Sequence, residues 1–460
     1  MLVYPYIANS IPGVKEEMLQ AIGASSVEEL YAEIPEKLRF RGRLNLPAPL
    51  LSEAELTRHV QGLLNKNRST AEVLSFLGAG CYQHQVPAIC DEINSRGEFL
   101  TAYAGDPYED HGRFQALFEY ESMMAELLNM DVVNVPTYDG FQAAATALRM
   151  TCRITHRTLV LLPLNMSADK FSKVEAYLHP DIAIQRIPFE PQSGCLDLRA
   201  LQSALNERVA AVYFENPTCL GLLETQADQI SAMAHAVGAL AVVGVEPLSL
   251  GVIRPPVEYG ADIVCGDIQS LGIHMNYGGG HGGFIATSDD PVFVMEFPSR
   301  LFGVAPTIVP GEYGFGDVAY ERTSFALREQ GKEWVGTAAA LWGITAGVYL
   351  ALMGPQGMVE IGEGLMQRCR YLMQKLAALP GLRLPFYQTP HFTEFVVNFD
   401  AAGKTAAQVN RLLLEHNIFG GKDLSAELPA LGQSLLVCVS EVHTQADLDR
   451  LAETLQEVLQ

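Results

Sequence analysis

The sequence has no lysine between Lys173 and Lys332. Chemistry centred on that stretch therefore has no amine nucleophile of its own to draw on. Paired cysteines are missing too. The eight present, at 81, 90, 152, 195, 219, 265, 369 and 438, make no C-x-x-C and no His/Cys ligand spacing, which argues against a disulfide framework or a zinc site and for reduced, mostly buried thiols. Positive charge is scarce: 31 Lys and Arg stand against 53 Asp and Glu, a net charge of -22. Nucleic acid and anionic membranes would be repelled, so the expected partners are small molecules and proteins. No apolar run is long enough to span a bilayer, since Ala239–Ile253 is broken by Glu246 and Pro247. The opening MLVYPYIANSIPGVKEEM has neither the basic start nor the apolar run of a signal peptide. These absences together predict a soluble, cytoplasmic protein.

What is present is a regular alternation. Short runs rich in β-branched residues occur at Asp131–Val135, Thr158–Leu164, Ile182–Ile187, Val209–Phe214, Leu240–Val245, Asp262–Cys265 and Gly283–Thr287, with helix-length segments between them. That pattern predicts a mostly parallel sheet covered on both faces, an α/β architecture of three layers. Ligands bind such sheets at the carboxyl ends of the strands. Tyr138-Asp139-Gly140, Asn216-Pro217, Glu246-Pro247 and Gln269-Ser270 all fall there, so these loops are expected to converge on one crevice. Residues 1–70 read as a polar, helical N-terminal arm, with Ser52-Glu53-Ala54-Glu55 as a capped helix start. Residues 71–325 read as the large α/β domain. Residues 326–460 read as two long helices, from about Trp334 to Met353 and Met358 to Leu379, followed by a small α+β domain. Its strands are expected at Leu382–Pro385, Thr393–Phe399 and Ser434–Val439, and its helices at Ala406–His416 and Gln445–Leu459.

Several candidate sites have a plainer reading. The run Gly278-Gly279-Gly280-His281-Gly282-Gly283 precedes a strand instead of joining a strand to a helix, so it reads as a tight strand-entry turn and not as a phosphate loop. His84, His111, His274 and His281 lack metal spacing and are expected to be solvated or hydrogen-bonded. Glu246 ends a very apolar strand and reads as a structural ion pair or a capping carboxylate. Lys170 and Lys173 sit early on a helix and are expected on its solvated face.

The segments FLGAGCYQHQVPAI, RGEFLTAY, ALFEYESMMAELLNMDVVN, YDGFQAA, FENPTCLGLLE, GDIQSLGIHMNYGGGHGGFIAT, ALMGPQGMVEIG and FTEFVVNF run in one order over about residues 75 to 400. In these segments the chain resembles the N-terminal half, or first subunit, of the glycine cleavage P-protein family, pyridoxal-phosphate-dependent decarboxylating glycine dehydrogenases. The resemblance implies the pyridoxal-phosphate-enzyme fold type I (aspartate aminotransferase-like), with a large three-layer domain and a small C-terminal α+β domain. It also implies a division of labour. Such enzymes hold their cofactor through a lysine amine, and the family's first subunit has glutamine in that place, here Gln269. No catalytic residue is then expected on this chain. Pyridoxal phosphate is expected on a homologous, lysine-bearing subunit 2, in a complex with two copies of each, and a lipoyl carrier (the H-protein) is expected to receive the product. Carried over by motif, Thr101, Ala102 and Tyr103 would reach the partner's active site, and Tyr138 and Asp139 would mark the family's YDG turn.

Two stretches depart from the family pattern. After Tyr103 the chain reads Ala104-Gly105-Asp106-Pro107-Tyr108-Glu109-Asp110 where the family has T-P-Y-Q-P-E. After Arg328-Glu329-Gln330 it reads Gly331-Lys332-Glu333-Trp334-Val335-Gly336-Thr337 in place of a basic run. Extra acids near a substrate would disfavour a carboxylate there. A paralogous heteromeric enzyme acting on another amino acid or amine, or a non-catalytic regulatory relative, are the alternatives these departures keep open.

Overall fold

The computed structural model describes residues 3–4, 6–100, 111–333 and 339–460. Thr101, Ala102 and Tyr103, and the altered stretches 104–110 and 334–337, lie outside the described residues. The chain forms two compact units, Met1–Arg68 and Ser69–Gln460.

The first unit carries two α-helices, Val14–Ala21 and Glu53–Leu64. The second starts where expected, with the Ser52 hydroxyl accepting from the Glu55 backbone N–H. The rest is short 3-10 turns and extended chain, less helical than its composition suggests. Nor is it polar: none of its described residues is buried, and twenty large apolar side chains are exposed, among them Tyr6, Leu38, Phe40, Leu46 and Leu51.

In the second unit all seven expected strands join one sheet. From edge to edge they are Val132–Val133, Gly283–Thr287, Ile263–Asp267, Leu240–Val245, Val209–Glu215, Leu159–Pro163 and Ala183–Ile187. Every pairing is parallel except the two made by Gly283–Thr287. Position in the sheet explains composition. The central Val209–Glu215 is buried at every residue, whereas the edge strand Ala183–Ile187 alternates between exposed and partly covered positions up to the buried Ile187. Alternate residues of each strand feed two separate cores: Leu161, Val243 and Val264 pack on one face, and Val160, Leu162, Val242 and Ile263 on the other. Three layers result.

The long apolar stretch after residue 339 is a helical run, Ala340–Ala377, broken at Gly354 (φ 59°, ψ -179°) before Pro355. A small antiparallel sheet follows, with Ser434–Cys438 between Glu394–Asn398 and Lys422–Asp423. Leu382–Pro385 is not a strand, since only Arg383 makes a single bridge, to Asn398. An antiparallel hairpin, Phe302–Pro306 with Tyr313–Asp317, was not expected. Its strands hold three glycines and little that is β-branched, so it lacks a compositional signal. Among the described residues no helix is long and apolar enough to cross a membrane.

Candidate functional site

The four loops converge as the strand order requires. Asp139, Pro217, Glu246, Gln269 and Ser270 all line one cavity of about 290 Å³ at the carboxyl ends of the strands, near the lower end of small-molecule sites. The small sheet closes it from the other side with Glu394, Lys422 and Leu436. The segment 79–82 forms part of its wall. It passes so close to the small sheet that a Cβ on Gly78 would lie 2.4 Å from Glu394 Oε1 and 2.6 Å from Cys438 Cβ.

Gln269 is 2% exposed and is wholly engaged. Its Oε1 accepts from the Tyr82 N–H at 3.0 Å, and its Nε2 donates to the Tyr82 carbonyl at 2.9 Å and to the Ile273 carbonyl at 2.9 Å. The carboxamide thus pairs with the backbone N–H and C=O of one residue, as one strand pairs with another. An ammonium offers donors only and could not accept from Tyr82 N–H.

Two helices of eight or more residues point their N-termini at the cavity, and both are already capped by carboxylates. On the helix Gly140–Thr155, Asp139 accepts from Gln142 N–H at 2.7 Å, and Asp267 accepts from Gly140 N–H at 2.9 Å. Asp267 also accepts from Gln269 N–H at 2.9 Å. On the helix Ala168–Leu178, Ser167 accepts from Lys170 N–H and Glu427 from Ala168 N–H. A phosphate seeking those N–H groups would have to displace these side chains and face their charge.

A family model described as glycine cleavage system P-protein matches residues 6–455. The chain belongs to that family. A protein of Staphylothermus marinus named probable glycine dehydrogenase (decarboxylating) subunit 1 is 36% identical over 99% of this chain and 98% of its own length. A solved glycine decarboxylase (P-protein) of the glycine cleavage system, in inhibitor-bound form, superposes with a TM-score of 0.83 at 33% identity over 100% of both chains. A Burkholderia pseudomallei sphingosine-1-phosphate lyase, 16% identical over 93% of this chain and 94% of its own, shares the fold with a TM-score of 0.65. The architecture is fold type I of the pyridoxal-phosphate enzymes, as the resemblance implied.

This P-protein family member uses its remaining cavity residues in ways the sequence did not announce. Lys170 is not on a solvated face: its Nζ lies 2.6 Å from Glu215 Oε1, and Tyr213 donates to the same oxygen at 2.9 Å. Burial is the largest influence and opposes its charge, but Glu215 together with Cys265 and Cys219 leaves its pKa raised, so Lys170 is a paired cation and not a free amine. Lys173 is exposed, as expected, with its Nζ 3.9 Å from the centre of the Phe141 ring at the cavity. Glu246 caps the turn Pro247–Gly251 through Ser249 N–H at 3.1 Å, the capping role expected of it. Tyr138 is 53% exposed and does not line the cavity. His84, His274 and His281 are each hydrogen-bonded or paired, to Glu441, to Asp91, and to Met275 O and Asp267. Gly278, Gly280 and Gly282 take positive φ in the strand-entry turn. The cysteines are free, six of them buried.

Glu394 and Asp267 stand in the segments FTEFVVNF and GDIQSLG, but their roles were missed because their partners Ala79 and Gly140 lie on distant elements. Glu394 Oε1 accepts from Ala79 N–H at 2.6 Å and its Oε2 from Tyr82 OH at 3.1 Å. Burial pushes its pKa up to about 7, and neighbouring Glu246 adds to the rise, while the bonds from Ala79 and Tyr82 and the charge of Lys422 pull the other way. Burial likewise raises Asp267 to about 6. A carboxyl that binds its proton more tightly folded than unfolded stabilises the fold below its unfolded pKa and loses that contribution as pH rises through its folded pKa. Unfolding free energy is therefore expected to fall between about pH 4.5 and 7.5, by on the order of 3 kcal/mol from Glu394. Denaturant titrations of the wild type and Glu394→Gln across that range check it; an equally steep decline in the variant would assign the effect elsewhere.

Proposed function

We propose that this chain is the cofactor-free first subunit of a heteromeric decarboxylating glycine dehydrogenase, working in the cytoplasm with a homologous lysine-bearing subunit 2. The observation that carries this reading is the clamp at Gln269: the position where the fold would hold its cofactor carries an amide locked to Tyr82. The carboxylate caps at both helix N-termini support it, since they disfavour the phosphate of pyridoxal phosphate in this cavity. On this reading the partner binds the cofactor, which supplies the electron sink for loss of the glycine carboxyl group. Exposed apolar surface on residues 3–68 supports a protein partner, because monomers rarely leave so much uncovered.

This chain's own contribution is positional. Gln269 and Glu394 both hold the segment 79–82, and Thr101, Ala102 and Tyr103 are the residues proposed to complete the partner's site. Asp139 is proposed to hold the wall of this chain's own cavity, and the exposed Tyr138 to face the partner subunit. A lipoyl carrier is proposed to take the aminomethyl group.

Co-expression with subunit 2 tests the whole. The chain alone is expected to show no cofactor absorbance and no exchange of labelled bicarbonate into glycine, and the purified pair to show both. A cofactor trapped by borohydride on this chain would overturn the reading. In the pair, Tyr103→Ala is expected to cut exchange about a hundredfold while the complex still co-purifies, the scale of a lost positioning contact. Unchanged exchange would remove the 101–103 segment from the site. Assaying a panel of amino acids with the same pair decides between glycine and another amine.

A further inference from the structure

We infer that residues 3–68 are a docking arm whose apolar cover is supplied by the homologous subunit 2. On the two-subunit reading above, this is a surface through which the chains meet. The arm has no core of its own. None of its described residues is buried, and the apolar cores among the described residues are all built from residue 74 onward. Its α-helices, Val14–Ala21 and Glu53–Leu64, are 8 and 12 residues long, too short to persist in water unless an apolar face is covered. On Glu53–Leu64 that face exists: Leu56, Val60, Leu63 and Leu64 fall on one stripe and all are exposed. Residues 40–51 run extended between the two helices. Among the described residues they make one backbone hydrogen bond, from Leu46 N–H to the Leu44 carbonyl at 2.9 Å, and they expose Phe40, Leu44, Leu46, Leu50 and Leu51. Fixing such a segment costs conformational entropy that burial within the chain does not offset.

Area and charge identify what covers it. The twenty exposed large apolar side chains of the arm, at roughly 100 Å² apiece, offer on the order of 2,000 Å² from this side alone. That is the scale of an obligate subunit interface and far more than a monomer leaves open. The arm is also neutral in a strongly acidic chain. Residues 1–68 hold three Lys and five Arg against eight Glu, so the whole net charge of -22 lies beyond them. Arg39 and Arg41 are already paired inside the arm, with Glu28 and Glu36. Apolar contact is therefore its means of attachment. A second copy of this chain would set -22 against -22 and would join two cavities that both lack the lysine, so the occupant assigned is subunit 2.

Hydrogen exchange read by mass, on the full chain alone and on the chain co-purified with subunit 2, is the test. Amides of Glu53–Leu64 are expected to exchange freely in the chain alone and about a hundredfold more slowly in the pair. Phe40→Asp and Leu46→Asp touch none of the cores, so each should leave the urea midpoint of the chain unchanged and weaken the pair about thirtyfold, as for an interface anchor. A pair that forms while the arm still exchanges freely, or that binds both variants with undiminished affinity, would sink the arm and leave the two-subunit reading standing. No pair at all would sink both. Protection of the arm in the chain alone would also overturn the inference, whether as a monomer, through self-association seen by light scattering, or on neutral phosphatidylcholine vesicles.

Discussion

Gln269→Lys is expected to leave the chain colourless with pyridoxal phosphate and to cost about 3 kcal/mol of stability, although it restores the residue type the fold lacks. The new side chain would strand the Tyr82 N–H, which Gln269 Oε1 accepts at 3.0 Å, and would put a charge at a site only 2% exposed. An unsatisfied buried donor costs about 1–3 kcal/mol, and a buried charge without a partner adds to that. A lysine so buried would lose its proton readily, yet the cofactor's phosphate would still meet Asp139 and Asp267 on the N–H groups it needs. Visible absorbance, borohydride trapping with mass analysis of position 269, and urea titration measure the two effects. A trapped adduct would show that the amine alone was missing. Gln269→Leu, which keeps the shape and removes all three bonds, is expected to lose a similar amount of stability and, in the reconstituted pair, to lower activity by loosening residues 79–82.

Gly221→Ala is expected to cost about 4 kcal/mol, enough to unfold a marginal domain. A Cβ there would stand 1.9 Å from the Glu394 carbonyl oxygen, and the residue has φ +79°, a conformation side chains disfavour. Left-handed backbone costs a non-glycine residue about 1–2 kcal/mol, and overpacking a closed contact about 1–3 more. The clash falls on backbone, which has no rotamer to escape into. Gly280 is the control: its φ is +66° but nothing lies within 4 Å of its added Cβ, so Gly280→Ala should lose only about 1–2 kcal/mol. Denaturation midpoints separate the two. Equal losses would mean that strain alone, and not the approach of Gly221 to the strand of Glu394, sets the cost.

The central sheet strands were legible because a strand covered on both faces must be almost wholly apolar, and such runs stand out between helices; the edge strand Ala183–Ile187 was legible through its alternation instead. The helices Gln445–Leu459 and Ala406–Glu415 stand where expected, and in the structure each opens on a threonine that closes a capping box. The hairpin at Phe302–Pro306 and Tyr313–Asp317 was not legible, since glycine-rich strands carry no such pattern. In the site, the convergence of the Asp139, Pro217, Glu246 and Gln269 loops followed from strand order. Lys170 was misread because its partner Glu215 lies 45 residues away on another element, and a short charged segment looks solvated until that partner is seen.

By itself the sequence determined, through local composition, that a mostly parallel α/β sheet would form and, through what is absent, that no lysine would stand between Lys173 and Lys332; fold type I and the cofactor position at Gln269 came from the family resemblance. Only the tertiary structure decided what took the lysine's place: an amide paired with Tyr82, helix ends filled by carboxylates, and Glu394 brought against a tyrosine 312 residues away. Hydrogen-bond partners and burial belong to contacts between distant segments. A carboxyl held near neutrality and one that stays ionised read alike until those contacts exist.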